Sequence, residues 1–226
     1  MNQVEKFGIE EQADMTTWHH EVIGIRQQSA LTKLGPILRS YGAYLAGGTA
    51  LALQLGHRRS VDFDFFVAGS QFDFAALEQE LMKRLPFQSL GAEEKALHGK
   101  LHGIRFLAMK YEYLRLHPIR RCVPFDCDLA ALNDIGTMKL AAICHRRTKK
   151  DFVDLWALMK SGKSLNRLLR DFQERFHVSD LGVVMRRLID TDDVDDSPMP
   201  RMLWRTRWNT IKSEFRDKVD ELRWKK

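Results

Sequence analysis

Residues 45–67 read Leu45-Ala-Gly-Gly-Thr-Ala-Leu-Ala-Leu-Gln-Leu-Gly-His-Arg-Arg-Ser-Val-Asp-Phe-Asp-Phe-Phe-Val67, and this stretch decides the fold. In its last seven residues an apolar set that starts at Val61 alternates with a set that contains Asp62 and Asp64. That alternation is typical of a β-strand, so we expect the apolar set in the core and the two carboxylates together on the other face. Carboxylates held so close repel each other. A hard divalent cation removes the repulsion, and magnesium is the metal that we predict.

The beginning of the same stretch predicts a site for phosphate. Residues 44–46 indicate a short strand and 49–55 a helix, with a turn of two glycines between them. Free backbone N–H groups at the start of a helix attract phosphate. We therefore predict that Gly47, Gly48 and Thr49 bind the phosphates of an NTP, whose magnesium ion is held by the aspartate pair.

The composition is that of an ordinary globular protein. The chain has 226 residues, of which 44% are hydrophobic and 29% charged, enough for one large domain or two small ones. No apolar run approaches the roughly 20 residues that a membrane span needs. The N-terminus lacks the hydrophobic region of a secretory signal, and the three cysteines form no zinc-ligand pattern. These features predict a cytoplasmic protein with reduced thiols and no membrane partner.

The net charge of +6 fits a polyanionic partner or substrate. Near the C-terminus, arginines alternate with tryptophans, as a surface that binds RNA by charge and stacking would. The same pattern is also typical of an amphipathic helix with its tryptophans inside, which is the interpretation we favour. The residues concerned are Arg201, Trp204, Arg205, Arg207 and Trp208.

The remaining pattern predicts a mixed first half and a helical second half. In the first half we predict helices over 14–40 and 72–85 and strands over 101–107, 110–114 and 122–125. In the second half we predict a helix from Asp134, as its N-cap, to about 147, a helix opened by Thr148, and helices over 164–176, 179–190 and 207–222. The acidic, proline-containing segment 191–200 indicates a loop.

Two blocks of the sequence resemble a known family. Gly48-Thr49, twelve further residues and Asp62-Phe-Asp64 are similar to the signature of the DNA polymerase β-type nucleotidyltransferases. The fuller pattern Gly-Gly-Thr-Ala-Leu-x-Leu-x-x-Gly-His-Arg-x-Ser-x-Asp-x-Asp-Phe-Phe more narrowly resembles the AbiEii/AbiGii nucleotidyltransferase toxins. The block Met138-Lys-Leu-Ala-Ala-Ile-Cys-His-Arg-Arg-Thr-Lys-Lys-Asp-Phe-Val-Asp-Leu-Trp156 resembles the later lysine and aspartate motif of that family. The resemblance extends over residues 40–215.

The resemblance implies an α+β fold, with a polymerase β-like mixed sheet flanked by helices in residues 1–130 and a helical half in 131–226. It implies transfer of a nucleoside monophosphate from Mg-NTP to an acceptor hydroxyl. The acceptor would be RNA, such as tRNA, and the chain would be the toxin of a toxin–antitoxin or phage-defence pair with a cognate antitoxin. Two alternatives remain: an antibiotic-type transferase that modifies a small molecule, and a catalytically silent protein that binds nucleotide or RNA.

The second block supplies two further site residues through the resemblance. Lys139 would contact the triphosphate, and Asp151 would act as a base or orient another group. Asp151 also has a structural interpretation, because Thr148-Lys-Lys-Asp151 matches a capping box. Asp154 lies on roughly the same helix face, so either aspartate can reach the site, and we favour Asp151.

Two arginines complete the predicted site. Among His57, Arg58 and Arg59, which lie between the glycine turn and the aspartates, we choose Arg58 as the residue that binds phosphate or an RNA backbone. In the polymerase β superfamily a third metal-binding carboxylate commonly lies on a strand that follows the Asp-x-Asp motif. The corresponding strand of this chain, 101–107, carries Arg105 instead. This departure speaks against a complete two-metal site and is the basis of the silent-binder alternative.

Overall fold

The computed structural model describes residues 17–68 and 72–223. The strands are β1 (Ala43–Leu45), β2 (Phe63–Val67), β3 (Phe87–Ala92), β4 (Ala96–Leu101), β5 (Ile104–Lys110), β6 (Arg120–Cys122) and β7 (Cys127–Leu129). The helices are α1 (Ile25–Ser40), α2 (Gly47–Leu55), α3 (Phe74–Arg84), α4 (Leu132–His145), α5 (Lys149–Lys160), α6 (Leu165–Phe176), α7 (Gly182–Ile189) and α8 (Trp208–Arg223). Short 3-10 turns cover His20–Val22, Val123–Phe125 and Asp192–Val194.

The strands form one mixed sheet in the order β3-β4-β5-β2-β1-β7-β6. β2 lies in its middle, antiparallel to β1 and parallel to β5, and β1 is parallel to β7. The predicted α+β class is therefore confirmed. After β7 the described chain continues as helices α4 to α8. The division into 1–130 and 131–226 stays a prediction.

The central strand has the predicted alternation. Phe63, Phe65 and Val67 are buried, whereas the residues between them are half-buried. Val61 does not belong to this set, because β2 begins two residues later and 65% of Val61 is exposed. The prediction that Val61 turns into the core is wrong, since the alternation of a strand holds only where the chain is paired in the sheet.

The N-terminal helix is shorter than predicted. Of the range 14–40, residues 14–16 lie outside the described residues. The chain then forms the turn His20–Val22, and α1 begins at Ile25 after an extended Gly24. The apolar spacing continued across this break, because buried Val22 and Ile23 belong to the same core as the helix.

The strand predicted over 101–107 is two strands. β4 ends at Leu101, His102 and Gly103 have φ of 53° and 79°, and Ile104 begins β5 opposite Leu101. Positive φ at both residues of a two-residue loop is the geometry of a tight hairpin turn. The strand predicted over 110–114 is wrong beyond Lys110, the last residue of β5.

The helical half follows the sequence pattern closely. α5, α6 and α8 lie where they were predicted, and Thr148 is the N-cap residue of α5. Asp134 is not an N-cap: it lies inside α4, buried, where it pairs with Arg175 and accepts N–H groups of Leu116 and His117 at 3.2 Å. Within 17–68 and 72–223 no helix is long and apolar enough to cross a membrane.

The two C-terminal tryptophans pack against other aromatic rings, but the favoured interpretation, an amphipathic helix with its tryptophans inside, is right only for Trp208, because Trp204 precedes α8. Trp208 meets Phe152 edge-on at 5.6 Å between ring centroids, and Trp204 meets Trp156 at 6.1 Å. The arginines Arg201, Arg205 and Arg207 are exposed.

Candidate active site

Asp62 and Asp64 stand at the start of the central strand. Asp64 lies on β2 and is half-buried, and Asp62 precedes the strand with 32% of its side chain exposed. Burial raises the pKa of the Asp64 carboxyl above its ordinary value, and the neighbouring charge of Asp62 raises it further. The repulsion expected from the sequence is therefore present between these two groups.

Two carboxylates suit magnesium better than a metal ion whose ligands must all be protein side chains. Among the described residues no group of three or more His, Cys, Asp or Glu side chains is placed to hold a metal. Magnesium is commonly bound by one or two carboxylates, together with substrate phosphates and water. Asp62 and Asp64 provide such a donor set, and a cation would relieve the repulsion that raises the pKa of Asp64.

The two glycines bring the backbone close to this pair. α2 begins at Gly47, two residues earlier than predicted. Gly47 has φ of +62°, and a β-carbon there would lie 3.1 Å from Asp64 Oδ2. A β-carbon on Gly48 would lie 2.3 Å from Arg58 Nη2. The first N–H groups of a helix have no partner within it, so this end of α2 presents donors beside the Asp64 carboxylate.

Thr49 fixes the loop that leads to the carboxylates. Its side chain is buried and donates to the carbonyl oxygen of Asp62, and its Oγ1 lies 2.7 Å from Ser60 Oγ. Since the Thr49 proton is used by the carbonyl, Ser60 is the donor in the second bond. Thr49 thereby joins the start of α2 to the residue before β2, and its hydroxyl is committed to protein partners.

Asp154 on α5 is the centre of a buried ionic network. Its carboxylate accepts from Arg58 Nε at 2.6 Å and Nη2 at 2.8 Å, from His57 Nε2 at 2.7 Å, and pairs with Lys139 Nζ at 2.6 Å. Burial alone would raise the pKa of Asp154, but Lys139 and Arg58 hold it well below its ordinary value. Burial lowers the pKa of His57, so the neutral ring donates through Nε2, and its Nδ1 has no hydrogen-bond partner in the part of the chain that the structure describes.

Arg58, predicted to bind phosphate, lies inside this network. Its side chain is buried, and its remaining Nη1 donates to the carbonyl oxygen of Arg59 at 2.9 Å. The geometry favours a positioning role for Arg58: it holds the loop before β2 against α5 and packs on the backbone of Gly48.

Asp151 is a second buried anion rather than an exposed base. It accepts from Lys139 Nζ at 3.1 Å, from Arg146 Nε at 3.0 Å and Nη2 at 2.7 Å, and from the Thr148 hydroxyl at 2.7 Å. Burial opposes its ionisation, but the bonds from Arg146 and the charge of Lys139 lower the pKa of Asp151 to about 2. So low a pKa disfavours a role as general base near neutral pH. The predicted capping box is wrong: the Thr148 side chain accepts no cap hydrogen bond, and its hydroxyl instead donates to the Asp151 carboxylate.

Arg146 is a site residue that the sequence interpretation missed. More than half of its side chain, 59%, is exposed although two of its nitrogens bind Asp151. Its charge reaches the aspartate pair, since both Arg146 and Lys139 lower the pKa of Asp64 against the effect of burial. Arg58, Lys139 and Arg146 thus face two carboxylates, Asp151 and Asp154, which leaves one positive charge in excess beside the carboxylate pair.

Arg105 lies on the opposite side of the carboxylate pair. Its Nη2 is 3.7 Å from Asp62 Oδ2, and 65% of the side chain is exposed. β5 is parallel to β2, with Leu107 level with Asp64, and its sequence contains no acidic residue. That Arg105 occupies the place of the superfamily's third carboxylate stays a prediction from the sequence, and the structure adds that it lies on the strand next to β2.

Comparison with known proteins gives a family and a fold. The family described as "Nucleotidyl transferase AbiEii toxin, Type IV TA system" matches residues 38–117. The protein aq_aa25 of Aquifex aeolicus (strain VF5) is 32% identical over 197 residues, which are 86% of this chain and 95% of that protein.

Two solved structures share the fold at low sequence identity. One is MenT4, a nucleotidyltransferase toxin of Mycobacterium tuberculosis H37Rv, with a TM-score of 0.52, 14% identity, and coverage of 87% of this chain and 85% of that chain. The other is ANT(2″)-Ia in complex with adenylyl-2″-tobramycin, with a TM-score of 0.51, 11% identity, and coverage of 66% of this chain and 98% of that chain. At such identities the likeness concerns the fold alone.

Proposed function

This chain belongs to the family of AbiEii nucleotidyltransferase toxins, and from that premise we propose that it transfers a nucleoside monophosphate from an NTP to a hydroxyl group of RNA. The observation that carries the proposal is the repelling carboxylate pair Asp62 and Asp64 beside the glycine start of α2. A silent binding protein would have no need of a pair that opposes folding in the absence of metal.

In the proposed reaction the acceptor oxygen forms a bond to the α-phosphorus of the NTP. The bond from that phosphorus to the bridging oxygen of the β-phosphate breaks, and pyrophosphate leaves with the electron pair. The hydroxyl proton passes to solvent. A magnesium ion held by Asp62 and Asp64 would supply charge neutralisation at the reacting phosphate and orientation of the triphosphate.

The chain's own residues would bind the triphosphate from two sides. The N–H groups of the first turn of α2 donate to its oxygens. Arg146, with its exposed guanidinium, contacts the phosphates directly, as arginine is well suited to do. Lys139 contributes its charge from inside the network, where Asp151 and Asp154 hold it. The contact that we predicted for Lys139 is thereby assigned to Arg146.

The acceptor and the partner follow from charge and family. A net charge of +6 suits a polyanionic acceptor, and we propose RNA, with tRNA as the first species to test. As a member of a toxin family, the chain would act as the toxin of a toxin–antitoxin or phage-defence pair, with a cognate antitoxin as its partner.

A labelling experiment tests this function. Purified protein is incubated with magnesium, each α-labelled NTP in turn, and total bacterial RNA, with tobramycin offered in a parallel reaction. We expect label in a narrow RNA size class, decreasing steeply as salt rises, because phosphate contacts are lost. Label on tobramycin alone would exclude RNA as the acceptor but leave nucleotidyl transfer intact. Bound NTP without any label would contradict transfer itself.

A further inference from the structure

A groove of about 660 Å³ opens beside Asp62, next to the turn that leads into β5. In the sheet β5 lies on one side of β2, and β1, which the glycine turn follows, lies on the other. The walls of the groove come from the start of α1, the loop before β2, and the turn between β4 and β5. The residues that line it and bear on its chemistry are Ile25, Arg26, Val61, Asp62, His102 and Arg105.

The groove exposes apolar side chains on two of its walls. Ile25, at the first position of α1, is 85% exposed, and Val61 in the loop before β2 is 65% exposed. Both side chains project where no element of the described chain covers them. An apolar pair in a groove beside a catalytic carboxylate suits a flat, apolar surface such as the face of a nucleobase.

The charges of the groove select an anionic ligand. Arg26 and Arg105 are both exposed in its lining, and of the described residues that line it Asp62 is the one acid. When Asp62 is engaged with magnesium, the remaining charge of the groove is positive. A polycationic aminoglycoside would meet like charges there, whereas the phosphates of a nucleic acid would meet opposite ones.

The direction of the reaction places the acceptor on this side. In phosphoryl transfer the attacking and leaving oxygens are roughly in line. The leaving pyrophosphate would be bound by the start of α2 and by Arg146, on the Asp64 side of the pair. The acceptor hydroxyl must therefore approach from the opposite side, where Asp62 faces Arg105 at 3.7 Å.

We infer that this groove binds the terminal nucleotide of a single-stranded RNA acceptor. Its base packs on Ile25 and Val61, its phosphate binds Arg105 and Arg26, and its ribose hydroxyl points past Asp62 toward the α-phosphorus. Arg105, in place of a third carboxylate, thus holds the acceptor instead of a second metal ion. This assignment rests on the nucleotidyl transfer proposed above and names the path by which the acceptor enters.

The test measures RNA binding without turnover. A fluorescein-labelled single-stranded RNA octanucleotide with a free 3′-hydroxyl is titrated with protein in the absence of NTP, and its Kd is read from fluorescence anisotropy. We expect Val61→Ser to weaken binding about fivefold, the order expected when a small apolar contact with the base is lost. We expect Arg105→Gln to weaken binding and to lower the slope of log Kd against log salt by about 0.7, the value for one single-strand phosphate contact.

Two matched variants serve as controls. Val123→Ser makes the same substitution at an apolar residue that is 74% exposed elsewhere, and Lys83→Gln removes one positive charge from the exposed surface of α3. Both should bind the octanucleotide as wild type does. Equal weakening by the controls, unchanged binding by the groove variants, or tighter binding by Arg105→Gln would overturn the assignment.

A second measurement distinguishes RNA from NTP as the ligand of the groove. In the labelling assay we expect the groove variants to raise the KM for RNA and leave the KM for NTP unchanged, and the reverse result would assign the groove to the NTP. Absence of labelling by wild type would contradict the proposed transfer, whereas normal labelling with groove variants that bind RNA normally would contradict only the groove.

Discussion

Arg58 and Asp154 form a buried bidentate ion pair, with Nε–Oδ1 of 2.6 Å and Nη2–Oδ2 of 2.8 Å. The pair joins the loop before β2 to α5, across 96 residues of sequence. The Arg58 guanidinium also packs on the backbone of Gly48. The glycine end of α2, proposed to bind phosphate, is therefore held in place from the helical half of the chain.

Loss of the Asp154 charge should destabilise the fold strongly. Asp154→Asn leaves Arg58 and Lys139 buried with one compensating charge fewer, and breaking a buried pair typically costs about 3–5 kcal/mol. Urea denaturation measures the change. Asp195→Asn is the control, because Asp195 pairs with Lys212 at an exposed position, and its stability should stay close to that of wild type. Equal stability of the two variants would argue against the network.

Gly47 should be needed for two reasons: its own left-handed backbone conformation and the space that Asp64 occupies beside it. Gly42 has a similar φ of +71°, but no atom of the described residues lies within 4 Å of an added β-carbon there, whereas Gly47 has Asp64 Oδ2 at 3.1 Å. Both alanine variants should lose about 1–2 kcal/mol from left-handed strain. Only Gly47→Ala should also lose activity, about a hundredfold, because it displaces the carboxylate. Similar activity losses in the two variants would show that strain alone matters.

The stabilisation by Asp151 should disappear in acid. The pKa of Asp151 is about 2 in the folded protein, below its ordinary value of 3.8. The folded state therefore binds fewer protons, so this stabilisation is complete above pH 4 and is lost as pH falls toward 2. The difference in free energy of unfolding between wild type and Asp151→Asn, measured in urea, should narrow over that range. A difference that does not change with pH would contradict the ion pairs.

The charge of Asp64 should change stability with pH in the opposite direction to that of Asp151. Its pKa is raised in the folded protein, so the folded state binds more protons and stability falls as pH rises past the ordinary value of 3.8. Without metal, Asp64→Asn should therefore be at least as stable as wild type at neutral pH, with an advantage that vanishes in acid. Thermal melts at several pH values measure this. A variant that is less stable than wild type at neutral pH would show that the carboxylate is a structural partner.

Local sequence signals predicted the parts of the fold that local chemistry decides. The alternation over 63–67 is set by near neighbours and was found as expected. The left-handed Gly56 that ends α2 is set by near neighbours as well. The hairpin between β4 and β5 was missed because apolar residues continue on both sides of the turn, His102 and Gly103, so that 101–107 has the pattern of a single strand. The partners of Arg58 were beyond prediction, since nothing near it in sequence indicates Asp154.

The site shows the same limit at adjacent residues. Arg146 and Arg147 are consecutive arginines that the sequence does not distinguish. Arg147 has φ of 48° and pairs with Asp193 at 2.8 Å, whereas the Arg146 side chain binds Asp151. The turn after α4 decides which arginine faces the carboxylate pair. The aspartates and glycines of the candidate site were predicted from the sequence. Which cation is exposed, Arg146, and which are buried, Arg58 and Lys139, depends on tertiary packing.

The most direct test of the central claim, that Asp62 and Asp64 carry the transfer, is pyrophosphate release by Asp64→Asn. The assay contains magnesium, NTP and RNA at neutral pH, and circular dichroism verifies that the variant is folded. We predict release by wild type and a loss of at least about a hundredfold in the folded variant, the scale of a lost group that stabilises transition-state charge. Release by the folded variant at the rate of wild type would contradict the claim.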